Sequence, residues 1–412
     1  MVTSLTLQGP KGQSLAVQAR PHLPKDLNQN GVLEDSELLA DLAEQGYLRE
    51  GADQAQLLKE YKAGLTGKPQ EIGLQQQGYH TYEQVGQALA DLAERFPGKA
   101  ERVSLGKSAE GREIWALRVG TPDENNPKPG VVITGCHHAR EWMTVEVPIH
   151  TARTLLESYE SDADSRRRVD QSVTWFVPLV NPDGYEYSRT KDSWWRKTRR
   201  AIEETGCPGK KGDFGVDANR NYWDSKPEHY HLWRPDGDTP CSTFDDFGGG
   251  RTSDNPRRDT YRGPEGASEP EVQALLGLEL DPKNNVKGVL DYHSYGEMIL
   301  YPYGHTEQPP ERLQDYLDIG GKMNQQLGNR YRLQPSIDLY PTSGGSNDIH
   351  EANGIFGMTF EIGRSFQPDP AEIPRMTAYI TPANLVFIDE VARRFPQAPQ
   401  QPPTQPGPQP QP

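Results

Sequence analysis

Only three cysteines, Cys136, Cys207 and Cys241, occur in 412 residues, which excludes a disulfide-built scaffold. Cys207 and Cys241 bracket a polar, Gly/Pro-rich stretch where a crosslink would be useful. Three reduced thiols are the alternative, and the spacing decides for neither. Long apolar runs are missing too: none approaches the ~20 residues that span a bilayer, so no membrane partner is expected. Met1 to Gln18 lacks a basic region followed by a long apolar block, so no signal peptide is expected there. Either the chain is made without one, or Met1 stands where a leader was removed. Positive charge is also in deficit. The formal net charge is -15, which argues against nucleic acid as a partner, because phosphate binding needs a basic patch. It favours a soluble, weakly self-associating chain, and a monomer is expected. Hydrophobic residues make up 33%, low yet enough for a globular protein with polar appendages.

What is present divides into three stretches. Residues 1–77 look separate from the rest of the chain, as an accessory or pro-like region. Within them Asp26-Leu-Asn28-Gln-Asn30-Gly31-Val32-Leu-Glu34-Asp-Ser-Glu37 has the spacing of a calcium loop. Asp26, Asn28, Asn30, Glu34 and Glu37 fall at its oxygen-donor positions, Gly31 at the sharp turn, and Val32 offers its carbonyl. A helix over 36–45 is expected after the loop, and a second over 52–63. Prolines before the loop spoil an entering helix, so a lone dockerin-like loop fits better than a paired EF-hand. A polar turn capping a helix is the alternative. Residues 78–395 alternate helical and strand patterns, and residues 396–412 are a Pro/Gln-rich tail without core residues.

In the middle stretch, apolar spacing predicts helices over 81–96, 145–156, 311–331 and 374–393. Strands are expected at 114–119, 131–136, 173–177, 286–291, 298–303 and 356–362. Asn181 to Gly184 has the composition of a turn. Ser268 and Glu271 have the spacing of a capping box opening another helix. Such alternation predicts one large α/β domain, with a mixed, mostly parallel twisted sheet flanked by helices on both faces.

The chemistry-bearing stretch is Gly135-Cys-His-His138-Ala-Arg140-Glu141-Trp. His138 and Glu141 are three apart, so on a helical first turn they would point the same way, and N and O donors suit zinc. Alone the pair is weak. His293, after the strand at 286–291, could be a third ligand, although a strand-end histidine is more often an ordinary hydrogen-bonded residue. Glu361 lies in the apolar Phe356-Gly-Met-Thr-Phe-Glu-Ile, where a carboxylate must be paired, near a metal, or raised in pKa. His137 is expected to point away from the ligand, and His229 and His231 to be solvated.

From about Tyr79 to Arg394 the chain resembles a zinc carboxypeptidase of the pancreatic carboxypeptidase A/B type. The blocks that carry this are the opening stretch, Asp291-Tyr-His-Ser-Tyr295 and Thr359-Phe-Glu-Ile. Further ones are Asn181-Pro-Asp-Gly-Tyr, Trp195-Arg-Lys-Thr-Arg199, Val216-Asp-Ala-Asn-Arg-Asn221, Thr260-Tyr-Arg-Gly-Pro264, Tyr301-Pro-Tyr-Gly304 and Ser343-Gly-Gly-Ser346, in the expected order. The resemblance implies one zinc per chain on His138, Glu141 and His293, with Glu361 as base and Arg196 for the oxyanion. It implies substrate contacts at Arg140, Asn219, Arg220, Tyr295, Tyr340 and Asn347, and Asp217 bonded to His138 behind the metal. It also implies peptide or protein C-termini as substrates and a secreted or extracellular place of action.

Two departures stand out. The family's secretory members often carry a cysteine just before the Thr-Tyr-Arg-Gly block, where this chain has Asn255-Pro-Arg257-Arg258. At the base of the side-chain pocket, where the family carries an apolar residue or an Asp, Asn347 stands, with Gly304 at the other pocket position. A neutral polar pocket implies broad or mixed specificity. Two other readings compete: a relative trimming bacterial cell-wall peptides, and a non-catalytic binding module that kept the fold. The full Arg196, Asn219, Arg220 and Tyr340 set argues against the first. Retention of Glu361 with three ligands argues against the second.

Overall fold

The computed structural model describes residues 78–123, 125–202, 215–234 and 252–395, and the backbone of two short strands nearer the start. The chain divides into two compact units, Met1–Leu74 and Gln75–Pro412. In the first, β1 (Ser4–Gln8) and β2 (Ser14–Gln18) pair antiparallel with Ser4 opposite Gln18, a hairpin that was not expected. The calcium loop with Asp26, Asn28, Asn30, Val32, Glu34 and Glu37, the two helices after it, Cys207, Cys241 and the tail all lie outside the described residues. Cys136 is a free, buried thiol.

The second unit is built on an eight-stranded sheet in the order β3-β4-β6-β5-β7-β10-β8-β9. Its strands are β3 (Ala100–Lys107), β4 (Glu113–Val119), β5 (Gly130–Thr134), β6 (Val173–Val177), β7 (Val286–His293), β8 (Met298–Tyr301), β9 (Arg332–Pro335) and β10 (Phe356–Glu361). Parallel pairings join β6 to β5, β5 to β7, β7 to β10 and β8 to β9. Antiparallel ones join β3 to β4, β4 to β6 and β10 to β8. The mixed sheet is therefore parallel through its centre, as the alternating pattern predicts.

Helices cover both faces: α1 (Tyr82–Arg95), α2 (Met143–Glu157), α3 (Ala163–Gln171), α4 (Pro182–Thr190), α5 (Pro270–Glu279), α6 (Leu313–Gln326), α7 (Ser346–Ala352) and α8 (Ile373–Arg394). Strand side chains alternate between faces, and β5 shows the result. Val131 and Ile133 join one core with Leu89 of α1, Leu155 of α2 and Phe387 of α8. Val132 joins the other with Val272 of α5 and Ile349 of α7. Burial on both faces explains why β5 and β6 read as continuous apolar runs.

Several local expectations are corrected. Asn181 is not in a free turn; its side chain accepts the Gly184 N–H at 2.9 Å and caps α4. The helix expected over 311–331 stops at Gln326, because the backbone turns left-handed at Gly328, φ +63. That stop frees Arg332–Pro335 to pair with β8. No capping box opens α5. Pro270 starts that helix, Ser268 Oγ donates to Glu269, and the Glu271 carboxylate turns instead to the Ala109 N–H at 3.2 Å.

That detour leaves Glu271 buried with its Oε2 unpartnered among the described residues. Burial, then the neighbouring Glu269, pushes its carboxyl from 4.5 up to about 8. An acid held above its unfolded value binds its proton more tightly in the fold. Its contribution is therefore fully present below about pH 4.5 and is lost as pH rises toward 8. Glu271→Gln should raise stability at pH 8 by about 1–3 kcal/mol, below the ceiling set by ~1.4 kcal/mol per unit, and change little near pH 4.5. Thermal melts at both pH values check this; an equal gain at both would refute ionisation as the cause.

Candidate active site

The strands that matter end at the same edge of the sheet. β5 lies between β6 and β7, so the chain runs outward from it in both directions, and open α/β sheets leave a crevice at such a reversal. After Thr134 the backbone must turn sharply. A Cβ at Gly135 would stand 2.2 Å from the Thr144 carbonyl, so only glycine fits there. Cys136 follows at φ +56, its N–H held by Thr144 Oγ1 at 2.9 Å. Asn181 Nδ2 donates to the carbonyls of His137 and Lys197. His138 and Glu141 sit on the turn this creates, ahead of α2, not on a helical first turn. The turn closes with the Glu141 N–H bonded to the His138 carbonyl at 3.1 Å, and that closure brings the two side chains together.

His293 ends β7 and Glu361 ends β10, and the parallel register sets them side by side. His138 Nδ1 lies 2.8 Å from Glu141 Oε1, and His293 Nδ1 lies 3.0 Å from His138 Nδ1 and 3.1 Å from Glu141 Oε2. All three side chains are buried, and their donor atoms fall within 4.8 Å of one another. His138 Nε2 donates to Asp217 Oδ1 at 3.1 Å, which leaves Nδ1 as an unprotonated lone pair facing the group. Two imidazole nitrogens and a carboxylate that close form a group able to hold a metal ion. The donor set fits zinc, which takes two imidazoles and a carboxylate and keeps a fourth position open.

The electrostatics agree. Although burial opposes it, the two imidazoles hold Glu141 below the usual carboxylate range. Asp217 is fully buried and accepts from His138, from the Asn219 N–H at 2.9 Å and from Arg196 Nε at 2.9 Å. Against the upward push of burial, Arg196 and His138 hold Asp217 well down. Burial would lower Arg196, but Asp217 outweighs it and keeps the guanidinium charged. Glu361 is half-buried at the strand end, not enclosed in the strand as its apolar neighbours suggest. Desolvation raises its carboxyl to about 7, against His293, which pulls it down.

A cleft next to this group is lined by Asn219, Arg220, Tyr340, Asn347, Asp348 and Thr359, among others. Asn219 Oδ1 accepts the Ser346 N–H at 3.0 Å, and its Nδ2 lies 3.2 Å from His293 Nε2. Arg220 donates to the Asn219 carbonyl and lies 5.9 Å from the Tyr340 ring centre. Asn347 Nδ2 donates to Thr359 Oγ1 at 2.9 Å, while its buried Oδ1 has no partner among the described residues. Arg140 and Tyr295 are not in the cleft. Both meet Phe366, the Arg140 guanidinium 4.5 Å over its ring and Tyr295 edge-on at 4.9 Å. Arg140 also bonds Asp259 Oδ2 at 3.1 Å.

His137 points away from the ligand set, its Nε2 2.7 Å from Tyr222 Oη. His231 is exposed, but His229 is not solvated as expected; Asp224 Oδ2 takes its Nδ1 at 2.7 Å. Sequence reading also missed Asp291. Fully buried two residues before His293, it accepts from Thr134 Oγ1 at 2.6 Å and from Ser346 Oγ, tying β5, β7 and α7 together. An acid inside a buried strand was the available signal.

A family model described as zinc carboxypeptidase matches residues 85–379. Rat carboxypeptidase A2 is 30% identical over 292 residues, covering 69% of this chain and 63% of that protein. Metallocarboxypeptidase A of Trichophyton tonsurans is 32% identical over 278 residues, covering 66% of this chain and 60% of the relative. The chain thus spans somewhat under two thirds of the length of each of these two relatives. Among solved structures, carboxypeptidase A from Helicoverpa armigera superposes with a TM-score of 0.66 at 25% identity, covering 87% of each chain.

Proposed function

Because this chain belongs to the zinc carboxypeptidase family, we propose that it removes the last residue of peptides and proteins by hydrolysis. The observation that carries this reading is the convergence of His138, Glu141 and His293 on one point, with Glu361 in register beside His293. His138, Glu141 and His293 would hold one zinc ion, which when bound supplies Lewis acidity toward water and the peptide carbonyl. Glu361 takes a proton from the attacking water and hands it to the leaving amine, the work of a positioned general base. Arg196, held charged by Asp217, faces the carbonyl oxygen as it becomes anionic. Asn219 and Arg220 grip the terminal carboxylate, the guanidinium offering paired donors, and this grip restricts cleavage to the chain end. Tyr340 closes over the bound end, and Arg140 and Tyr295 touch the substrate further from it.

Asn347 makes the side-chain cleft polar without charge, and its unpartnered Oδ1 is an acceptor for a substrate donor. Mixed terminal specificity is the expected result. A peptide library treated with and without chelator tests the whole reading. Single residues should be released from the carboxyl end, chelator should stop the release, and zinc should restore it. Internal cuts or chelator-insensitive cleavage would overturn it. A preference above about a hundredfold for Lys/Arg over Phe/Leu would sink the mixed specificity alone.

Residues 78–395 form the catalytic part in this proposal, and residues 1–77 an accessory part with a calcium loop. Calcium should raise Tm, and the effect should vanish in Glu37→Ala; melting indifferent to calcium ends that idea. On the family resemblance we also expect a secreted monomer. Assay of medium against cells, and light scattering, read those two points.

A further inference from the structure

The side-chain cleft holds a charge that the roles above leave unused. Asp348, in the first turn of α7, lines it beside Asn347, Gly304 and Thr359. Its carboxylate is 3% exposed, with one donor on each oxygen. Oδ1 accepts the Gly304 N–H at 2.9 Å, and Oδ2 accepts from His305 Nδ1 at 2.8 Å. A Cβ built at Gly304 would stand 2.4 Å from Thr342 Oγ1 and 3.6 Å from Asp348 Oδ2, so the Thr342 hydroxyl and glycine backbone border the carboxylate on that side. His305 approaches from the outer side. It is 18% exposed, with the Tyr303 ring 5.1 Å away and the His231 ring 6.0 Å away.

A buried carboxylate in the cleft wall, with an acceptor oxygen free, would draw a Lys or Arg side chain into the cleft. Here Nδ1 of His305 already supplies that oxygen with a hydrogen. We propose that His305 is a specificity-determining residue that acts through Asp348: by occupying Oδ2 it keeps the cleft from selecting basic terminal residues. This rests on the terminal cleavage proposed above. It explains how an acid in the cleft wall can be withheld from the substrate. Asn347 alone does not account for that, because its Nδ2 donates to Thr359 Oγ1 and not to Asp348.

The test compares kcat/KM for matched peptides ending in Arg and in Leu, using the zinc-loaded full chain. In His305→Ala the Arg-to-Leu ratio should rise at least about tenfold, since the buried acceptor then lacks its donor. His305→Gln, whose amide can donate to the same oxygen, should stay near the wild-type ratio. The double variant His305→Ala/Asp348→Asn should fall back toward it, because the charge is gone. Should His305→Ala fold poorly, His305→Phe keeps a ring against Tyr303 without a donor and serves in its place. An unchanged ratio in a folded donor-less variant, or an equal rise in His305→Gln, overturns the assignment and leaves terminal cleavage standing. Failure of the wild type to release either residue overturns both.

Discussion

Glu361→Gln is expected to lower kcat/KM by about 10²–10⁴-fold, the usual contribution of a positioned general base, while zinc uptake is unchanged. The two halves of that expectation rest on different observations. Glu361 is outside the donor set of His138, Glu141 and His293, so its loss removes no metal ligand. The amide keeps the volume of the acid at the end of β10 and leaves the pairing with β7 intact. What it cannot do is take a proton and return it. Metal analysis alongside turnover of a peptide ending in Leu separates the cases. Full zinc with undiminished turnover would remove Glu361 from its role. Lost zinc would instead mean that Glu361 supports the ligand group.

Arg196→Ala should lower kcat by about 10²–10³-fold with a smaller change in KM, as for other groups that meet charge only as it develops. Substitutions at Arg220 should show the opposite balance, a raised KM, if that residue grips the carboxylate throughout. The Arg196 variant has a second cost. Asp217 Oδ2 accepts from Arg196 Nε at 2.9 Å and lies 2.8 Å from Nη2 in an ion pair. Removing one partner of a buried ion pair typically costs about 3–5 kcal/mol, so Tm should fall as well. Rates must therefore be measured well below the new Tm. A loss confined to KM would reassign Arg196 to holding the ground-state substrate.

Much of this site was legible because its residues sit in short blocks whose chemistry is local. A histidine and a glutamate three apart, an acid in an apolar strand and a histidine at a strand end can each be picked out singly. The strand at Val173–Val177 was equally plain, being a continuous β-branched and aromatic run between turn residues. What escaped depended on distant partners. Arg332–Pro335 has no strand pattern of its own and becomes one by pairing with β8. Ser346–Ala352, a helix behind two glycines, is held by Asn219 and Asp291, far off in sequence. Ser268 and Glu271 have the right spacing for a capping box, but Pro270 and the Ala109 amide take them elsewhere. His305 and Asp348 are 43 residues apart, and nothing local marks them as a pair.

The order of the sheet has a bearing on when this chain becomes able to act. On the proposed mechanism the metal group needs the turn after β5 and the end of β7, and the base comes on β10, the last strand among the described residues. Residues 138 to 361 must all be made, and β10 must close against β7, before any water can be deprotonated at the site. Pairing across such a separation is slow compared with local helix formation. On that mechanism hydrolytic competence arrives late in synthesis, and a partly made chain holding His138, Glu141 and His293 should be inactive.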